Sequence, residues 1–147
     1  DAVGTYLTAQ EPLLAIPPYH HLGDLQEIRL DDLAGETLIV PQVDELYDPY
    51  ARNAMIAGRK CRGNLHKLTA ENIYAALLMV ELGMGVMLIP HHLKHRIYPH
   101  TRAVSVTDGD CAFPIFIYWN RTKNNPAAEL FFDRMTEEFK VSEAVKK

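Results

Sequence analysis

Three short apolar runs, each closed by proline, set the strongest limit on what this chain can fold into. Pro12–Pro17 reads PLLAIP and is followed at once by Pro18; Thr37–Val40 reads TLIV and ends at Pro41; Val86–Ile89 reads VMLI and ends at Pro90. Runs this short are too brief for buried helices and read as strands covered on both faces. Proline has no N–H to give to a ladder, so each run leaves its sheet where the proline stands.

The segments between them carry helical signals. Asp48-Pro49 combines an N-cap with proline at the first helical position, and Gly58 is the expected stop. Leu30–Gly35 predicts a single turn stopped by glycine. Thr69 can cap a further helix through its hydroxyl, with Glu71 well placed for the helix dipole. Ile73, Ala76, Leu77 and Val80 then keep i, i+3, i+4, i+7 spacing, and Gly83 ends that helix. Asn64–Leu68, Ala103–Val106 and Phe113–Trp119 are the remaining strands, the last two separated by the turn signal Thr107-Asp108-Gly109-Asp110. Asn125-Pro126 starts a final helix with an apolar face of Ala128, Phe131, Phe132, Met135 and Phe139. From Val141 the tail is polar and expected to fray. Strands alternating with helices predict an α/β fold with a mainly parallel sheet flanked by helices.

Bulk properties remove several classes of function. The 147 residues are 48% hydrophobic and 23% charged, ordinary values for one domain with its own core. A formal net charge of −4 argues against this piece gripping nucleic acid by itself. Arg59-Lys60-Cys61-Arg62, the densest basic stretch, reads as a solvated loop after a helix. No apolar run approaches the roughly 20 residues needed to cross a bilayer. Cys61 and Cys111 imply no disulfide framework and fit a reducing compartment, so a cytoplasmic location is expected. No signal-peptide pattern opens the chain and Asp1 is not an initiator Met, so it reads as cut from something longer.

Catalytic and metal chemistry find little support. There is no nucleophile elbow or phosphate-cradling loop, and Gly83-Met84-Gly85 follows a helix and precedes a strand, the reverse of a dinucleotide fingerprint. Neither cysteine sits beside an obvious base. His91 and His95 share helical spacing, but His92 stands where a zincin would need Glu. His20-His21 carries no evident role. No enzyme activity, cofactor or metal is therefore expected.

In open α/β sheets ligands sit outside the carboxyl ends of strands, near helix N-termini. Two junctions have that character. One carries Gln42, Val43 and Asp44; the other carries Thr69, Glu71 and Asn72. The hydroxyl of Thr69 and amide of Asn72, beside unpaired backbone N–H groups, suit a carboxylate. The competing reading is that Thr69 only caps its helix. Asp44 and Glu71 would instead suit a cation, which leaves ligand charge open. Val43 is either an apolar wall or a packed loop residue.

The stretch Ala75–Pro90, AALLMVELGMGVMLIP, resembles the V-x-x-G-x-G-V-x-x-x-P signature of LysR-type transcriptional regulators. Glu11–Leu14 with His21-Leu22 and Leu33-Ala34, then Thr37–Val40, then Trp119-Asn120-Arg121 with Asn125-Pro126-Ala127, resemble further pieces of that family in the right order. The resemblance implies a Rossmann-like lobe of the type 2 periplasmic-binding-protein-like fold. It implies that a small-molecule effector between two lobes controls DNA binding by a winged helix-turn-helix absent from this chain. It also implies self-association as dimer or tetramer, DNA contact only through that absent domain, and no membrane. Residues 1–120 would form the effector-binding lobe with crossover strands, and residues 121–147 a helix and tail belonging to the first lobe. An effector-contacting hydroxyl or amide is expected in the Thr69–Asn72 turn. The final helix would cover the first lobe, so its phenylalanines should pack on a partner chain or fold back on their own sheet. A transport-type solute-binding protein and a small α/β enzyme are the alternatives.

Overall fold

The computed structural model describes residues 2–44, 47–120, 122 and 125–146, with side chains through Lys140. Its elements in chain order are β1 (Ala2–Gln10), β2 (Pro12–Ile16), β3 (Glu27–Ile28), β4 (Thr37–Pro41), α1 (Pro49–Lys60), β5 (His66–Ala70), α2 (Ile73–Glu81), β6 (Met87–Pro90), β7 (Arg102–Val106), β8 (Phe113–Asn120) and α3 (Pro126–Lys146), with short 3-10 turns between. Contacts divide them into two compact units. Glu11–Phe113 forms one; Asp1–Gln10 and Pro114–Lys147 form the other. By contacts the division falls at 10/11 and 113/114.

In the larger unit β3, β7, β2 and β6 lie side by side in that order, and β4 pairs with β5. A parallel bridge from Leu38 to Val86 links the two groups. It is carried by Ile39 N–H to Val86 C=O at 2.8 Å and Val86 N–H to Thr37 C=O at 2.9 Å. β3 runs parallel to β7 and β4 parallel to β5, while β2 runs antiparallel to both β6 and β7. The mainly parallel sheet expected from the sequence is present, with β2 reversed inside it. Pro12 lies opposite Pro90. Each proline thus stands at the end of the ladder, where a missing N–H costs nothing.

All five residues of β2 are buried, as are those of β6. Ala54 and Ala57 of α1 and Ala76, Leu77 and Val80 of α2 complete this core. Gly85 permits the crossing of β4 and β6. A Cβ there would stand 2.5 Å from the Thr37 carbonyl oxygen and 3.2 Å from Ile39 Cγ1. One fully buried polar side chain, Asn53 on α1, donates from Nδ2 to the Cys111 carbonyl at 2.8 Å.

Several boundaries differ from expectation. α1 runs through Gly58 to Lys60, and the following turn closes with Gly63 N–H donating to Gly58 C=O at 2.9 Å. Arg59 and Lys60 thus belong to its last turn, where positive charge suits the dipole, and not to a loop. The strand placed at Asn64–Leu68 lies at His66–Ala70, because its ladder with β4 continues to Pro41↔Ala70. The same ladder holds Thr69 opposite Val40, so Asn72, not Thr69, caps α2. β1 and β3 were not anticipated, and α3 extends through Val141 to Lys146 where fraying was expected.

Asp108 ties three parts of this unit together. Its Oδ1 accepts the Leu30 N–H at 2.8 Å and its Oδ2 pairs with Lys60, which also reaches Asp110 at 3.1 Å. Burial pushes the Asp108 carboxyl up, but hydrogen bonds from Lys60 and Leu30 and the Lys60 charge outweigh it, holding it below its ordinary value. A depressed carboxyl stabilises above its unfolded pKa, near 3.9, and loses that contribution as pH falls through the folded value. Asp108→Asn should therefore cost about 1–2 kcal/mol at neutral pH and little in strong acid, read as converging denaturant midpoints. A gap that persists undiminished at low pH would exclude the charge as its origin.

In the smaller unit β1 pairs with β8, and α3 packs on β1. Tyr6 meets Phe116 edge-on at 5.9 Å, and Trp119 meets Phe132 at 6.1 Å. Ala128, Phe132, Met135 and Phe139 are half-buried, so this part of the apolar stripe does fold back. Phe131 is 59% exposed, because a two-stranded sheet covers only one side of the stripe. Arg121, part of the quoted C-terminal motif, lies outside the described residues. No described helix is long and apolar enough to cross a membrane.

Candidate functional site

β4 and β5 are adjacent and parallel, so both junctions singled out from the sequence emerge at the same end of the sheet. The ladder continues one step past Pro41: the Gln42 N–H donates to the Ala70 carbonyl at 2.9 Å. That bond pins the Gln42–Asp44 turn against the Thr69–Asn72 turn. All six candidate residues thus lie in two turns that meet at this bond in the larger unit.

Two helices begin just beyond these turns. Asp48 Oδ1 accepts the Ala51 N–H at 3.0 Å to cap α1, and Asn72 Oδ1 accepts the Ala75 N–H at 2.8 Å to cap α2. Each cap satisfies one N–H of the first turn and leaves others pointing outward, with the positive end of the helix dipole. Gln42, Asp44, Thr69, Glu71 and Asn72 are exposed, and Val43 is half-buried against the core. With the cap taken by Asn72, the Thr69 hydroxyl has no partner among the described residues. Asn72 keeps its amide N–H₂ for other contacts. The arrangement offers a hydroxyl, two amides and helix N-termini beside two carboxylates, Asp44 and Glu71.

Other reactive groups lie elsewhere. Cys61 Sγ donates to the Leu30 carbonyl and Cys111 Sγ to the Asp108 carbonyl, each at 3.1 Å. Burial pushes both thiols up, Cys111 to about 11, so neither is poised as a nucleophile. His91, His92 and His95 are exposed on a 3-10 turn after β6. His20 and His21, which carry no role legible from their neighbours in sequence, both meet Glu36. His20 Nε2 lies 2.9 Å from one carboxylate oxygen and His21 Nε2 3.1 Å from the other. The only sequence signal was the His-His pair itself, since Glu36 is distant along the chain.

Residues 1–140 match the family described as LysR substrate binding domain. The chain belongs to that family. No curated protein matches it by sequence. Among solved structures it is similar to the BenM effector binding domain with its effector benzoate: 17% identity, TM-score 0.73, covering 97% of this chain and 65% of that one. It is similar to the effector binding domain of QuiR in complex with shikimate at 20% identity and TM-score 0.71, covering 95% and 66%. It is also similar to full-length CbnR complexed with target DNA at 14% identity and TM-score 0.74, covering 94% and 46%. The chain therefore spans about two thirds of the effector-domain structures and about half of the full-length one. At these identities the structures establish the fold, a periplasmic-binding-protein-like one of type 2. Within it the Gly83–Pro90 signature is scaffold, since Gly85 lets β4 and β6 approach and β6 is wholly buried.

Proposed function

We propose that this chain is the ligand-sensing part of a LysR-type transcription factor and binds a small organic carboxylate at the joined Gln42–Asp44 and Thr69–Asn72 turns. The observation that carries this reading is the Gln42-to-Ala70 hydrogen bond, which joins the two polar strand-to-helix turns. Benzoate and shikimate, named with BenM and QuiR, are both carboxylates. That chemistry suits backbone N–H groups at a helix start and the unspent hydroxyl of Thr69. Asp44 and Glu71 then select against ligands carrying further negative charge toward them. The domain acts without catalysis, in the cytoplasm. Effector binding shifts a pre-existing equilibrium that oligomeric full-length protein transmits to a DNA-reading domain.

The test is a thermal-shift and calorimetric screen of aromatic and alicyclic carboxylates. A true effector at a hundredfold excess over its Kd should add about 2.7 kcal/mol of stability. Thr69→Val should weaken binding roughly tenfold, the loss of one hydrogen bond of about 1.4 kcal/mol. Asn72→Ala is the poorer probe because it also uncaps α2. Carboxylates that bind with unchanged affinity in Thr69→Val would move the site elsewhere.

A further inference from the structure

We propose that His20, His21 and Glu36 form a binding site for a divalent transition-metal ion of the Zn²⁺ or Ni²⁺ kind, separate from the effector turns. The three ligand atoms all lie within 4.8 Å of one another. Both Nε2 atoms face the same carboxylate, at 2.9 and 3.1 Å, and the two rings stack with centroids 4.3 Å apart. Around zinc, with bonds of about 2.0–2.2 Å, neighbouring tetrahedral donors stand about 3.4 Å apart. The two imidazole–carboxylate spacings, 2.9 and 3.1 Å, need to open by only a few tenths of an ångström, and the remaining donor pair lies within 4.8 Å. Two imidazoles and one carboxylate are the donor set that favours zinc, nickel or copper over magnesium or calcium.

The backbone holds these donors in place. His20 precedes the 3-10 turn His21–Asp24 and directly follows Pro17, Pro18 and Tyr19. Glu36 is clamped from both sides: its N–H donates to the Leu33 carbonyl at 2.9 Å and its C=O accepts the His66 N–H at 3.0 Å. The side chains of His20 and Glu36 are 15% and 16% exposed, while that of His21 is 68% exposed. Two ligands are thus fixed in the wall and the third covers them from outside. A groove of about 520 Å³, lined in part by Tyr19, His20, His21, His100 and Arg102, opens beside them and leaves room for water in the remaining coordination positions.

One hydrogen bond sets the proton bookkeeping of loading. The Leu22 N–H donates to His20 Nδ1 at 3.2 Å, so the neutral ring carries its proton on Nε2, directed at Glu36. An ion taking the Nε2 lone pair requires that proton to move to Nδ1 through solvent, and the Leu22 contact is given up. Each neutral imidazole keeps one N–H throughout, and the carboxylate stays ionised. Loading therefore replaces an existing hydrogen-bonded latch, which limits the affinity and makes the site exchangeable.

The experiment is calorimetric titration of the full chain with ZnCl₂ and NiCl₂, paired with thermal melts in metal and in chelator. One ion per chain should bind saturably and raise the melting temperature, and chelator should reverse the rise. His21→Ala, which removes the exposed ligand and leaves the fold intact, should weaken binding at least roughly tenfold, as should Glu36→Gln. His95→Ala is the control and should bind as the parent does. No saturable binding of either metal overturns the proposal, as does binding that survives His21→Ala and is lost in His95→Ala.

Discussion

Gly85→Ala is expected to lower the free energy of unfolding by about 3–5 kcal/mol, combining overpacking with lost ladder bonds. The added Cβ would lie 2.5 Å from a backbone oxygen, that of Thr37, which no rotamer change can withdraw. Relief requires β4 to move away from Val86, stretching the two hydrogen bonds that join β4 to β6. Because β4 and β5 carry the candidate site, ligand affinity should fall with stability. Gly83→Ala provides the contrast. Gly83 has φ +79° with nothing near its Cβ position, so alanine costs only the left-handed backbone penalty of about 1–2 kcal/mol. Urea midpoints at constant slope measure both, and equal losses would show that close approach is not what requires Gly85.

Asn53→Asp should be nearly as damaging at neutral pH, by roughly 3 kcal/mol, although it replaces one atom type by another of the same size. Asn53 is fully buried and its Nδ2 donates to the Cys111 carbonyl at 2.8 Å. An ionised aspartate would set an oxygen against that carbonyl and bury a charge. Desolvation raises such a carboxyl's folded pKa above its unfolded value near 3.9. The deficit is then smallest below that unfolded value, where the protonated acid can donate in place of the amide. It grows as pH rises and levels off above the folded pKa. Thermal melts of variant and parent from pH 4 to 8 follow the gap, and a gap independent of pH would show that burial of charge is not responsible.

The legible parts of the fold were those where an apolar run met a residue that cannot continue it. β2, β4 and β6 were visible because Pro17, Pro41 and Pro90 bound them, and α2 because its buried residues keep helical spacing up to Gly83. β1 was not, since Ala2–Gln10 interleaves threonines and a glycine and buries only Leu7 fully. Gly58 misled because a glycine inside a helix carries the same letter as one that ends it. Thr69 misled because cap propensity is local, whereas the partner strand that holds Thr69 extended is set by tertiary pairing. The candidate site was legible only as two turns following two strands. That those strands are neighbours, so that the turns meet, follows from pairing order and had no local signal. The triad of His20, His21 and Glu36 was hidden for the same reason.

The larger unit is an uninterrupted length of chain, while the smaller one is made from its two ends. That arrangement fixes an order of events during synthesis. β1 is made before its partner β8, which must wait until the whole of Glu11–Phe113 has been translated. The continuous unit can complete its core in the meantime, as domains generally do when they fold as they are made. Until then the edge of β1 that pairs with β8 stays open, and an open edge of this kind invites wrong partners. Collapse of the intervening unit reduces the conformational entropy lost when β1 and β8 close, because a folded body replaces a long free loop. Mutations that slow the larger unit should therefore lengthen the time for which that edge of β1 waits for β8.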